Sequence, residues 1–343
     1  MRFPAEWEPH ERTLMGWPCR LELWGETLEQ ARADYATVAN AIAEFEPVTM
    51  IANPGADAEQ ARAACGARVD VVELPIDDSW LRDSGPIYVT DESGRRVAVH
   101  FGFNAWGEKF AGWDRDADIG RLVATTLGDE VGEAPLILEG GSVHSDGRGT
   151  ILTTEQCLLN PNRNPALSRE QIEQALAEYL GASRVVWLGH GLVEDRDTDG
   201  HVDLIAAFTP AGAVLLQTVP PDNPNYSSCE ENRARLAAAG IPVIEFPWLS
   251  YVEVAGERAI IGYMNFYVCN DAVIVPLAGG EPDSEALAAI AAAFPGREVV
   301  GVPGAVLSYG GGGPHCITQQ VPAVVAPAVA PSGAAAQGAV DGT

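Results

Sequence analysis

The chain has 343 residues, 47% hydrophobic and 20% charged, which is enough for a sizeable core in one large domain or two ordinary ones. Its 48 acidic and 21 basic residues leave a net charge of −27; that argues against nucleic acid and anionic membranes as partners and suits a small cation. No apolar run reaches the roughly 18 residues of a membrane span, and the opening MRFPAEWEPHER carries no apolar leader, so a cytoplasmic protein is expected.

In chain order, the hydrophobic pattern predicts a helix over 27–45, a strand over 47–52 and a helix over 57–65. Strands at 69–74, 86–90 and 96–101 follow, then a helix at 117–127. Strands at 135–138 and 150–153 lead to a helix at 168–180. Beyond it come strands at 184–188, 202–208 and 213–217, and a helix at 228–239. Strands at 242–246, 258–267 and 272–275, a helix at 283–294 and a strand at 298–302 complete the series. Ser168, followed by Glu170 and Gln171 and then by Ile172, Leu176 and Leu180, reads as a capped amphipathic helix. Asp283 is placed to cap the Ala-rich helix after it. The class is α+β or α/β, and the recurrence of two or three strands with one helix suggests structural repeats. From 322 to 343 the chain is Ala/Pro/Gly-rich without periodicity, which predicts a disordered tail behind one domain spanning 1–321.

The six cysteines, at 19, 65, 157, 229, 269 and 316, show no CxxC spacing. They fit reduced thiols, most of them packing residues, better than a zinc site or a disulfide framework. Four polar islands interrupt the apolar strands: DDSWLRDSGP (77–86), LEGGSVHSDG (138–147), EDRDTDGHVD (194–203) and GGGGPHCITQQ (310–320). The third imitates the start of an EF-hand calcium loop. The position of the closing bidentate glutamate is Ala206, so calcium is disfavoured. His201 and Asp203, two apart, would share one face of a strand.

Inert burial is the commoner fate of a cysteine, but four glycines ahead of Cys316 give backbone that can approach a ligand closely. His315 is adjacent to Cys316 and would face the other way on a strand; His201 is the better partner for a nucleophilic thiol. His10, His100, His144 and His190 fit ordinary packing or surface roles. Asp83, Glu139, Asp197 and Asp203 would raise the pKa of a nearby thiol. They make sense if the substrate is a cation, and a guanidinium pairs bidentately with carboxylates. Cysteine, histidine and several carboxylates together read as chemistry on a guanidinium carbon. P-loop, GxGxxG, GxSxG and HExxH motifs are absent.

The stretches EWEPHERTLMGWP, DDSWLRDSGP, FGFNAWGEKF, ILEGGSVHSDGRGTILTTEQCLLNPNRNP, DTDGHVD, NFYVCNDAVIVP and HCITQQ together resemble the agmatine deiminase family of guanidine-modifying enzymes in the pentein superfamily, over roughly residues 3–322. The resemblance implies a five-bladed α/β propeller of ββαβ-like repeats. It implies Cys316 as nucleophile, His201 as general acid/base, and Asp83 and Asp203 as guanidinium-binding carboxylates. Glu139 would orient the histidine, Asp197 would lie near the substrate's distal amine, and Trp80 would line the guanidinium pocket. Agmatine hydrolysed to N-carbamoylputrescine and ammonia is the implied reaction, with no metal or organic cofactor. Departures at Leu14, at Pro314 and in a short 226–248 segment touch the surroundings of the substrate tail. Bacterial peptidylarginine deiminases look similar near these residues, but HFGFNAWGEKFAGWDRD (100–116) has no paired arginines to receive a carboxylate. Another guanidine substrate, an amidinotransferase and a non-catalytic binding propeller are the alternatives, and a homo-oligomer is suspected.

Overall fold

The computed structural model describes residues 1–324. Among them, five sheets repeat one pattern: a leading strand pairs antiparallel with a second strand, and the second pairs parallel with a third. A parallel pair needs a crossover, and each unit supplies a helix for it. Thr318–Pro322, His10–Gly16 and Val48–Ala52 enclose the helix Leu28–Ala43. This sheet adds Val69–Glu73 through the helix Ala56–Ala64. Next come Ile87–Thr90, Arg96–Gly102 and Glu130–Ile137 with the helix Asp114–Leu127. His144–Ser145, Thr150–Thr154 and Arg184–Leu188 carry the helix Arg169–Leu180. Ala206–Phe208, Val214–Gln217 and Val243–Phe246 carry Tyr226–Ala238. Tyr267–Cys269, Ala272–Leu277 and Glu298–Pro303 carry Pro282–Ala293. A separate hairpin, Ser250–Val254 with Glu257–Ile261, lies between the last two units.

The second strands of these units are largely buried; Val214–Gln217 and Ala272–Leu277 accordingly read as nearly continuous apolar runs, whereas His10–Gly16 and Thr150–Thr154 carry polar residues. The helices pack against the neighbouring unit's sheet as well as their own: Ile172, Leu176 and Leu180 share a cluster with Val97, Val99 and Leu136 of the second unit. In the first unit Tyr35, Val38, Ala39 and Ile42 pack against Met15, Val48 and Met50. The helix Arg169–Leu180 is set by local signals. Ser168 and Gln171 form a reciprocal capping box, Ile172, Leu176 and Leu180 are buried, and Gly181 ends the helix in the left-handed region.

All six predicted helices form within a few residues of their expected bounds. Other expectations need correction. Asp283 sits inside its helix, which starts at Pro282, and its carboxylate instead accepts N–H bonds from Ala278, Gly279 and Gly280. The expected strand 202–208 is a strand only from Ala206; Val202–Leu204 is a 3-10 turn, so strand alternation does not explain how His201 and Asp203 meet. The run 258–267 splits between the hairpin and the fifth unit because it breaks at 262–266. Strands His10–Gly16 and Thr318–Pro322 were hidden by their polar residues and by their pairing with each other across most of the sequence. Residue 322, expected to open the tail, is ordered instead: Pro322 closes the last strand and the Ala323 N–H bonds the Pro9 carbonyl. Residues 325–343 lie outside the described residues.

Candidate active site

In each unit, the segment just before the leading strand turns toward the same place. These segments hold Cys316, Asp83, Glu139 with Gly141, His201 with Asp203, and Asn265. They are joined to one another in a circuit. The Arg82 N–H donates to the Cys316 carbonyl (3.3 Å), and the Gly141 N–H donates to Asp83 Oδ1 (2.9 Å). A Cβ on Gly141 would come within 2.6 Å of His201 Nδ1 and 2.9 Å of both Asp203 Oδ2 and Asp83 Oδ1. Asn265 Nδ2 reaches the Asp203 carbonyl (3.5 Å), and Asn265 Oδ1 accepts from the Cys316 N–H (3.2 Å). Six of the seven residues singled out from the sequence thus line or surround one buried locus, with Asp197 at its rim.

The glycine run answers to space. A Cβ on Gly312 would meet the Cys316 Cβ at 2.7 Å, and its Sγ and the Trp80 ring at 2.9 Å. Gly311 has φ +113°, a conformation that L side chains rarely adopt. The thiol is therefore presented by backbone that no larger residue could replace.

Burial pushes the Cys316 thiol well up, and the carboxylates of Asp203 and Asp83 push it further. Its Sγ lies 3.4 Å from Asp203 Oδ2. Burial opposes a charge on His201, yet Asp83, whose Oδ1 is 3.8 Å from Nδ1, raises the imidazole well above its ordinary range. Burial also raises Asp83, which accepts from Trp106 Nε1 at 2.9 Å. Asp203 is buried too, but its bond with His315 Nδ1 (2.8 Å) outweighs that and holds it below the ordinary carboxylate range. His315 spends its other nitrogen on Glu6 (2.7 Å), so its ring braces Asp203. Glu139 is wholly buried, with Oε1 bonded by Arg163 Nε at 2.5 Å and Oε2 unpartnered.

A narrow cavity opens onto the thiol. Trp80, Trp106 and Phe110 wall it, and Asp78, Asp83 and Asp197 supply its acids; no lysine or arginine lines it. Trp80 is stacked on Trp24. Asp197 stands exposed where this cavity meets a larger outer cleft. The EF-hand-like loop is held by protein donors. Asp195 accepts from Thr198 and the His201 N–H, and Asp199 from Lys109, Asn162 and Arg163. Lys109, the sole lysine, also donates to the carbonyls of Arg196 and Asp197.

Sequence reasoning assigned no role to Asp78, Trp106, Arg163, Asn265, Glu6 or His315 as a brace. All six lie in the stretches that carry the family resemblance, and that is the one signal that could have marked them.

The chain matches the family model described as Porphyromonas-type peptidyl-arginine deiminase over residues 2–322. It is 43% identical to the agmatine deiminase of Stutzerimonas stutzeri over 354 residues, covering 93% of this chain and 95% of that protein. It is 41% identical to the agmatine deiminase of Pseudomonas aeruginosa, covering 94% and 95%. Among solved structures, it is similar to the agmatine deiminase of Enterococcus faecalis, with a TM-score of 0.89, 33% identity and 94% and 96% coverage. It is also similar to a cysteine-to-serine variant of C. jejuni agmatine deiminase with substrate bound, with a TM-score of 0.88, 28% identity and 95% and 97% coverage.

Proposed function

Because this chain belongs to the Porphyromonas-type peptidyl-arginine deiminase family, we propose that it hydrolyses the guanidine group of agmatine to N-carbamoylputrescine and ammonia. The observation that carries this is the acid-lined, aromatic-walled cavity with the Cys316 thiol at its base and no basic side chain. Such a cavity favours a cation at both ends. Arginine would bring a carboxylate that nothing lining the cavity neutralises.

The geometry supports the following roles. Asp83 and Asp203 take the guanidinium, which stacks beneath Trp80. The substrate's charge offsets those two carboxylates and so lowers the thiol's pKa. As the guanidinium binds, Cys316 releases its proton to solvent through the cavity mouth and attacks the central carbon as thiolate. His201, charged at rest, protonates the departing nitrogen, and ammonia leaves. An amidino-thioether on Cys316 remains, and His201 is now neutral. His201 then takes a proton from water, the hydroxide adds to the same carbon, and the C–S bond breaks to free the thiolate and a ureido product. Glu139, clamped by Arg163, steadies His201. Asp197 and Asp78 hold the distal amine. Nucleophile, acid and base are all side chains, so the chemistry calls for no cofactor.

The five units are read as blades of a propeller, residues 1–321 forming one catalytic domain. The repeated strand pattern and the closed circuit at the site support this. Six free cysteines suit a reducing cytoplasm. Among the described residues no helix is long and apolar enough to cross a membrane. The net charge of −27 makes nucleic acid an unsuitable partner. A homo-oligomer is expected, to be read by light scattering.

The test is ammonia release from agmatine, arginine and a C-terminal arginyl peptide by the native protein and Cys316→Ala. Release from agmatine, lost in the variant, is the expected result. Equal or faster release from arginine would overturn the substrate, and an active variant would overturn the nucleophile.

A further inference from the structure

Cys157 has no part in the chemistry above, yet it stands against two groups that do. It lies in the short helix Glu155–Leu158, wholly buried, with its N–H donated to Thr154 Oγ1. Its Sγ, a Glu139 oxygen and a His201 ring nitrogen all lie within 4.8 Å of one another. Among the described residues this is the one such grouping of three histidine, cysteine or carboxylate side chains. A second observation points to a ligand. Both His201 nitrogens and Glu139 Oε2 are buried without a hydrogen-bond partner, and orphaned buried polar atoms are costly.

Thiolate, imidazole and carboxylate are the donors zinc takes, at about 2.0–2.3 Å each, with a fourth position left for water. Small side-chain rotations would bring the three onto one ion. Arg163 fixes Glu139 through Oε1 and leaves Oε2 free to bind, the kind of outer support that orients metal ligands. Magnesium and calcium prefer all-oxygen shells and would not compete.

We propose that Cys157, His201 and Glu139 form an inhibitory site for a thiophilic divalent cation, with zinc the best match. Binding displaces the thiol proton of Cys157 and the proton that His201 carries for the leaving nitrogen. The bound ion thereby ties up the acid/base and stops deimination until a chelator removes it. Only this inhibitory consequence rests on the proposed role of His201; occupancy of the site does not.

The test therefore measures binding apart from activity. Zinc binding is followed by equilibrium dialysis on full-length native, Cys316→Ser and Cys157→Ser proteins. Cobalt spectra of Cys316→Ser then report whether a thiolate ligates the metal. One ion per chain is expected in the native and Cys316→Ser proteins, with a thiolate-to-cobalt band in the latter. Loss of an outer supporting group costs about 10–100-fold in metal affinity, so Cys157→Ser should weaken binding by at least that much. It should also release ammonia from agmatine in zinc concentrations that silence the native enzyme. No bound zinc, binding lost in Cys316→Ser, or binding unchanged in Cys157→Ser would each overturn the site. Should Cys157→Ser fail to fold, absence of the thiolate band from cobalt-loaded Cys316→Ser would overturn the site instead.

Discussion

Gly141 shows how much one absent methyl group decides. Its backbone N–H holds Asp83, and the space a Cβ would fill is already bounded by His201, Asp203 and Asp83. Gly141→Ala should lower agmatine turnover by about 10²-fold or more, because displacements near 1 Å cost that much in a preorganised site. Steady-state kinetics reads this, and near-native turnover would show that the three groups do not act together. Asp78 bears on pH. Burial pushes its carboxyl up to about 6, against bonds from Ser79 and the charge of Arg20. Above that value it is ionised and attracts the substrate amine; as pH falls through about 6 it takes a proton and the attraction is lost. KM for agmatine should therefore rise on the acid side of pH 6, and Asp78→Asn should remove that rise while keeping a high KM throughout. The same limb in the variant would assign it to another group.

Among elements, the helix Arg169–Leu180 was fully legible because its signals are local: cap, stripe and terminal glycine lie within fourteen residues. Ser168→Ala should cost about 1 kcal/mol in urea unfolding with kcat unchanged, since the cap faces away from the cavity; no loss of stability would mean that the box does not carry the helix. The 202–208 segment was misread for the opposite reason. Its apolar residues suit a strand, but Asp195 accepts the His201 N–H and ties the chain into a turn before Ala206. That tie depends on a loop that no periodicity reveals. The identities of the site residues were legible through motif resemblance, whereas their supports, Trp106, Arg163 and Asn265, became visible only once the fold brought distant segments together.

At the scale of the whole molecule, the first and last strands of the described residues meet behind the site. Thr318–Pro322 pairs with His10–Gly16, and Glu6 near the start bonds His315 near the end, which in turn holds Asp203. Contacts across more than three hundred residues leave no trace in local pattern, so this closure was invisible in the sequence. Burial opposes ionisation of Glu6, but the charges of His315 and His144 outweigh it and hold its carboxyl far below the ordinary range. Its stabilisation is therefore present above the unfolded glutamate value of about 4.3 and lost as pH falls below it. Glu6→Gln should be about 3 kcal/mol less stable at neutral pH, with the gap to the native protein closing below about pH 4. Urea unfolding across pH checks this; a gap constant from neutral to acid pH would remove Glu6 ionisation from the account.

The proposed chemistry turns on a covalent bond between Cys316 and the guanidine carbon. The most direct measurement is acid quenching during turnover of agmatine, followed by intact-mass and peptide mass spectrometry. A mass gain equal to agmatine less ammonia is expected, located on the peptide that holds Cys316 and absent from Cys316→Ala. Rapid ammonia release with no such adduct in any quenched sample, or an adduct on another cysteine, would contradict it.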